Sequence, residues 1–252
     1  MSDLKFEILL FYYDRPAIVQ KFALPSVFNS EHSNWELTII DDSSCQGAEK
    51  VMEEFFSNNP KYVSQSSKVK IIKTGDTLET KAARGWESIF GMFANIALEK
   101  HSDADICLML CDDDGLTPHY LSHLNKFYQE NPDKIYSYCH VCRFNPLEIE
   151  SFDDIEIELS DDYINKTHDI ENAYCEVDAS QVSWRRKNFI EDRVKFPYPR
   201  TVAVDAALFL SMYEKWGHKT QCVFNGTIGQ YKGVFSDQLG CREVRFVTAD
   251  GS

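Results

Sequence analysis

The sequence predicts an α/β fold, a mostly parallel central sheet flanked by helices in a single domain. Three observations predict it. Apolar runs of strand length alternate with stretches whose apolar residues recur at helical spacing. Two of those runs end abruptly in acids, Trp35–Ile40 in Asp41-Asp42 and Ile106–Cys111 in Asp112-Asp113-Asp114. The chain has 252 residues, 43% of them hydrophobic and 13% aromatic, which is ample material for one large core.

Phe6–Tyr12 reads as the first strand. Tyr13-Asp14-Arg15-Pro16 then turns into a helix, with Asp14 as its cap and Ile18 and Phe22 on one face. Pro25 is expected to end or kink that helix. Trp35–Ile40 is the second strand, and a helix follows over Ala48–Phe56 with Val51 and Phe55 inward. Val69–Lys73 is the third strand. A longer helix, roughly Lys81–Lys100, carries Trp86, Ile89, Phe90, Phe93 and Ala97 on one face. Ile106–Cys111 is a buried central strand. Gly115 breaks the chain, and Thr117 and Pro118 serve as N-cap and first position of a helix that buries Leu121, Leu124 and Tyr128. Ile135–Cys142 is a further strand. The stretch from about Pro146 to Asn172 is acidic and poor in apolar residues, a solvated loop with a short hairpin near Ile155–Leu159. A helix starts at about Asp205 and stops at Gly217, with Leu208, Met212 and Tyr213 inward. The tail reads as strand, a loop through Gly226, Gly229 and Gly233, and strand.

Charge narrows the function. Lys plus Arg number 26 and Asp plus Glu 40, a net charge of −14. Such a chain does not attract nucleic acid or an anionic membrane over long range. No stretch has the length and apolarity of a spanning helix or the form of a signal peptide, so a soluble, cytoplasmic or other intracellular protein is expected. The eight cysteines are scattered, several within apolar runs, as reduced cysteines acting as small hydrophobes are. Cys139-His-Val-Cys142 has no partner pair, and on a strand its two thiols face opposite ways. His119 and His123 share a helix face, read as solvated.

The acids at 112–114 are the focus. Open α/β sheets bind ligands at the carboxyl ends of their strands. Crowded carboxylates repel and stay ionised most readily beside a cation. Hard oxygen ligands favour Mg²⁺ or Mn²⁺, whose shells water and phosphate oxygens complete. The competing reading is an acidic turn before a helix, since acids favour helix N-termini.

Order and spacing carry a resemblance. Leu24-Pro-Ser-Val-Phe followed by Trp35-Glu-Leu-Thr-Ile-Ile-Asp-Asp-Ser-Ser44 resembles the Ser-containing helix and Asp-Asp-Gly-Ser turn of GT-A fold glycosyltransferases. Asp112-Asp113-Asp114 with Pro118 resembles their Asp-x-Asp motif and following helix. Many members read Asp-x-Asp-Asp, and anchoring on Pro118 puts Cys111 in the first Asp place. Val177–Arg186 is similar to the segment that passes under the acceptor site and ends in a basic pair. Asp205 falls where inverting members carry a catalytic base, often as Glu-Asp; here Val204 replaces the first acid.

The resemblance implies a GT-A-like (Rossmann-like) domain over residues 1–252, with a nucleotide-sugar-binding half over 1–130 and an acceptor-binding half over 131–252. It implies a hexosyl- or pentosyltransferase using a nucleotide sugar, a UDP-sugar above all, with Mn²⁺ or Mg²⁺, a glycan or glycoprotein acceptor and inversion at the anomeric carbon. Asp112 and Asp114 are the implied metal ligands. Donor contacts are implied for Tyr12, Asp14, Asp41 and Asp42 near the first two strands, for Lys81 and Arg84 after the third, and for Asp112 and Asp113. Arg185 and Arg186 suit phosphate or a solvated basic pair equally. Asp205 is the implied base. A nucleotidyltransferase and a non-catalytic nucleotide- or sugar-binding module also fit the acids, but a Gly-rich phosphate loop with a lysine is missing near the first strand.

Overall fold

A computed structural model of the chain describes residues 3–83, 89–144, 164–165, 179–197, 204–217 and 220–230. Strands β1 (Phe6–Tyr12), β2 (Trp35–Asp41), β3 (Val69–Lys73) and β4 (Ile106–Cys111) form a parallel block in the order β3-β2-β1-β4. In register, Tyr12 lies beside Asp41 and Phe11 beside Cys111, so the acids that end β2 and β4 leave the sheet at one edge. β5 (Gly115–Leu116), β6 (Tyr136–Phe144), β7 (Ile164–Asn165), β8 (Val182–Arg185) and β9 (Thr220–Gln230) extend the same sheet. Beyond β4 the order is β8-β6-β9-β5, with β7 on β6, so one mixed sheet runs through both halves of the chain. β8 runs antiparallel to β4, pairing Arg185 with Ile106.

Alternation along the strands makes two cores, one per face. Phe6, Ile8, Leu10 and Tyr12 point to one side, where α1 (residues 16–28), α2 (Ala48–Asn58) and α5 (Tyr120–Glu130) cover them with Phe28, Phe55, Leu121 and Leu124. Leu9, Ile40, Cys107 and Met109 point to the other, under α4 (Phe90–Ile96, continued as a π-helix over Ala97–His101), α6 (Arg186–Glu191) and α7 (Val204–Trp216). Gly91 lets α4 sit directly on the 194–197 segment, since a Cβ there would meet the Pro197 carbonyl oxygen at 2.7 Å. Asn95 ties the same contact, accepting from Phe196 N at 2.9 Å and donating to Phe196 O at 3.0 Å.

Four local expectations are corrected. Pro25 does not end the first helix: Pro16–Ile18, a π-helical stretch Val19–Ala23 and Leu24–Phe28 run on as α1. Leu24 N–H bonds back to Val19 O, which shifts the ladder just before the proline and puts it in the first turn of the last segment, where its missing N–H costs nothing. The expected 81–100 helix is divided, into α3 (Leu78–Ala83) and α4, whose first turn starts from the Ile89 carbonyl, the acceptor for Met92 N–H and Phe93 N–H; Trp86 lies outside the described residues. Gly115 and Leu116 stay extended to pair with Ile228 and Thr227, so Thr117 and Pro118 form a turn and α5 begins only at Tyr120. Gly226 and Gly229 lie inside β9, with Gly226 at a register slip against β6 where a glycine relieves the bulge. Gly233 and the 155–159 hairpin lie outside the described residues.

Glu7 is the misfit of the buried sheet, 1% exposed beside Thr38, whose hydroxyl donates to Oε1 at 2.6 Å. Burial pushes its carboxyl above the ordinary value of 4.5, against the pull of that hydrogen bond. A folded-state value above the unfolded one means the penalty is absent below about pH 4.5 and complete above the raised value. Replacing Glu7 by Gln is therefore expected to raise the urea midpoint at pH 7–8, with the gain shrinking as pH falls toward 4.5. An equal gain at both ends of that range in parallel urea titrations contradicts this account.

Candidate active site

The three acids after β4 are all inside, with Asp112 6%, Asp113 3% and Asp114 2% exposed. They do not share one environment. Asp112 turns toward β1: Tyr13 N–H donates to its Oδ2 at 3.0 Å and Arg15 Nη1 to its Oδ1 at 3.1 Å. Arg15 Nη1 also reaches Asp113 Oδ2 at 2.7 Å, so one guanidinium bridges two of the carboxylates. Asp113 Oδ1 is buried and has no hydrogen-bond partner among the described residues. Asp114 accepts from the hydroxyl of Ser180, which itself accepts from Cys111 N–H at 3.2 Å. Among the described residues, Cys111, Asp113 and Asp114 form the group that could hold a metal ion, each offering a ligand atom within 4.8 Å of the others. Asp112, expected as a metal ligand with Asp114, is outside that group, its two oxygens engaged by Tyr13 N–H and Arg15, and Asp113 is inside it.

Beside them, the loop after β2 is pinned from below. Asp41, 1% exposed, accepts from Ser44 N–H at 2.9 Å and Ala48 N–H at 2.8 Å, which closes the turn and caps α2. Tyr12 donates its hydroxyl to Gln46 O at 2.8 Å, and burial, with Asp41, Asp14 and Asp112 nearby, raises its pKa well beyond the ordinary range. Asp14 adopts φ 48°, donates its N–H to Ser44 Oγ at 3.0 Å and accepts from Cys45 N–H. It braces the loop instead of capping α1, whose N-cap is Arg15. Asp42 is half-buried and differs from Asp41: its Oδ1 accepts from Thr74 Oγ1 at 3.2 Å, and Thr74 Oγ1 lies 3.0 Å from Ser43 Oγ. Thus Tyr12, Asp14 and Asp41, expected as donor contacts, hold the loop that presents Asp42.

No protein-family model and no curated protein matches this sequence. Solved structures do match. S. aureus TarS 1-349 in complex with UDP-GlcNAc aligns with a TM-score of 0.64 at 13% identity, over 90% of this chain and 58% of that one. Mannosyltransferase PcManGT from Pyrobaculum calidifontis, in complex with GDP-Man and Mn²⁺, aligns at 0.56 and 11% identity, over 89% of this chain and 55% of that one. The fold is the GT-A glycosyltransferase fold. The chain spans about 60% of the TarS 1-349 structure and 37% of the longer TarS structure.

Within the GT-A sheet the remaining expected residues separate. Arg185 is far from the acids, because antiparallel β8 carries it to the opposite edge, beside the first residue of β4. Its guanidinium donates to Tyr128 O at 2.7 Å, Lys134 O at 2.8 Å and Asn131 O at 3.3 Å, closing the end of α5, so neither the phosphate nor the solvated reading holds. Arg186 likewise donates to Leu98 O at 2.8 Å. Lys81 lies on α3 and Asp205 is the second residue of α7; only their backbones are described, and Arg84 lies outside the described residues. Arg15 and Ser180 are site residues that the sequence did not single out. An arginine just before a proline after the first strand, in a chain this acidic, was the available signal for Arg15. Ser180 lies in the Val177–Arg186 stretch that carries the resemblance, but nothing in that stretch sets the serine itself apart. Cys139 is buried as a small hydrophobe, His119 sits exposed just before α5 and lies 2.6 Å from Glu31, and His123 is exposed on the helix. Among the described residues no helix is long and apolar enough to cross a membrane.

Asp41→Ala leaves the Ser44 and Ala48 N–H groups without their acceptor, the second of them buried. A loss of about 2 kcal/mol or more is expected in urea unfolding, with Asp41→Asn, which keeps one acceptor oxygen, losing less. Equal stability of Asp41→Ala and the unaltered chain contradicts the capping role.

Proposed function

We propose that the chain is a metal-dependent glycosyltransferase that moves a sugar from a UDP-sugar to a hydroxyl of a glycan or glycoprotein acceptor, with inversion. One observation carries the reading. At the carboxyl edge of a GT-A sheet, a buried carboxylate oxygen, Asp113 Oδ1, has no donor to meet it. Such an atom costs about 1–3 kcal/mol or more unless a cation satisfies it. The residues therefore fit a divalent ion, held by Asp113 and Asp114. Bound there, Mn²⁺ or Mg²⁺ supplies charge neutralisation for a leaving nucleoside diphosphate. The solved neighbours support the donor class: one TarS structure holds UDP-GlcNAc, and PcManGT holds GDP-Man with Mn²⁺.

The chain's own residues take the following roles. Asp42, presented by the pinned loop, accepts from N3–H of uracil, a donor that cytosine lacks. Lys81 and Arg84, which follow β3 in the sequence, are assigned to the diphosphate by their charge. Arg15 keeps Asp112 and Asp113 apart in aim while offsetting their repulsion. Asp205, at the head of α7, takes the acceptor hydroxyl proton. α7 packs through Leu208, Phe209 and Met212 into the core cluster that Cys111 also borders, which sets that helix on the same face of the sheet as the end of β4.

Incubating the chain with a panel of UDP- and GDP-sugars and Mn²⁺, and reading products by mass spectrometry, tests the reading. Free UDP with transferred or hydrolysed sugar is expected. Sugar 1-phosphate release with transfer of the nucleoside monophosphate indicates a nucleotidyltransferase, and no turnover of any donor a binding module. Asp205→Asn preserves shape and the capacity to cap a helix, so a structural role predicts near-normal turnover. The base role predicts a loss in kcat of about a hundredfold or more, with UDP affinity little changed and an inverted product by NMR. Asp42→Ala is expected to narrow the preference for UDP over CDP. An unchanged ratio removes Asp42 from base recognition.

A further inference from the structure

We propose that Cys111 is a thiolate ligand of the ion, so that the centre is Cys-Asp-Asp and selects thiophilic ions over Mg²⁺. The inference rests on the donor-site reading above and concerns which side chains hold the ion. Cys111 Sγ and one carboxylate oxygen each of Asp113 and Asp114 lie within 4.8 Å of one another. Ligand bonds of about 2.0–2.3 Å put two ligands of one ion no more than about 4.5 Å apart. The trio therefore needs only a sub-ångström closing movement to share an ion. The geometry follows from the end of the strand. Cys111 is the last residue of β4 and the acids follow in a turn, where Tyr13 N–H and Arg15 take both oxygens of Asp112 while Arg15 takes only Oδ2 of Asp113.

Two further observations separate this site from a chance cluster. Asp113 is 3% exposed and its Oδ1 has no hydrogen-bond partner, so a buried ligand atom stands ready. Ser180 holds the other two members together: its hydroxyl donates to the Asp114 carboxylate and accepts from the Cys111 N–H at 3.2 Å. Hydrogen bonds of this kind orient metal ligands. Cys111 is also only partly buried, unlike Cys107 and Cys139 in the same sheet, which are fully enclosed. Coordination replaces the S–H bond by a metal–sulfur bond and releases the thiol proton to solvent. A thiolate beside two carboxylates favours softer ions, with affinity rising from Mn²⁺ toward Co²⁺ and Zn²⁺. Mg²⁺, which demands oxygen ligands, is disfavoured.

The test uses the full chain carrying Cys45→Ser, which removes an exposed thiol, after stripping with EDTA. Titration with Co²⁺ is expected to produce a sulfur-to-cobalt charge-transfer band that saturates at one equivalent and disappears in Cys111→Ser. Calorimetry of UDP binding in Mn²⁺ and in Mg²⁺ is expected to show a preference for Mn²⁺ that falls about tenfold in Cys111→Ser. X-ray absorption of the Co²⁺-loaded chain counts sulfur neighbours without the Cys111 variant, should that variant fail to fold; one sulfur is expected. Metal-dependent UDP binding with no band and no sulfur neighbour overturns the thiolate and leaves the donor site standing. A band that depends on Cys111, with no UDP binding under any ion, keeps the thiolate and overturns the donor reading. A band that survives Cys111→Ser overturns the proposal.

Discussion

Charge repulsion in a dry place governs this molecule. Three consecutive carboxylates close a central strand and are almost fully enclosed. Ionised carboxylates in such surroundings raise one another's free energy steeply unless positive charge or hydrogen-bond donors meet them. Each acid is met differently, and the differences assign the parts. Backbone and guanidinium hold Asp112 and a serine hydroxyl holds Asp114, whereas Asp113 shares the guanidinium and keeps one oxygen unmatched. The unmatched atom is the one on which the proposed ion site rests.

The rest of the carboxyl edge follows from holding loops against that cluster. Parallel pairing of β1 with both β2 and β4 brings three strand ends level. Short polar ties then convert flexible turns into a fixed rim: Asp41 to two backbone amides, Tyr12 to Gln46, Asp14 to Cys45. The left-handed backbone at Asp14 and Ser43 is tolerated because their surroundings fix them. Rigid placement of a few polar groups is what a nucleotide site needs, since misplacement by an ångström costs most of the benefit.

Much of this was legible in the sequence, and the reasons are local. The four parallel strands announce themselves as apolar runs whose neighbours carry helical periodicity, and acids at strand ends mark an edge whatever the exact pairing. Site membership was harder to read. Asp112, Asp113 and Asp114 look alike in one dimension; only their partners Tyr13, Arg15 and Ser180, distant in sequence, distinguish them. Arg185 looked like a phosphate ligand because two adjacent arginines suit an anion, yet the antiparallel course of β8 takes it to the far end of the sheet. Strand direction is a long-range property, and a basic pair carries no record of it. Pro25 shows a smaller case: a π-helical shift reconciles the proline with its helix, and nothing in the residue types forecasts that shift.

Arg15 has one more consequence. A centre made only of acids depends on its ion for neutrality, and the fold of such a protein waits on metal supply. Here a side chain of the chain itself spans Asp112 and Asp113, so the rim is partly compensated from the moment β1 and β4 pair. The bridge also ties the start of the first helix to the turn after the fourth strand, so two segments about a hundred residues apart in sequence are fixed to each other through a single guanidinium.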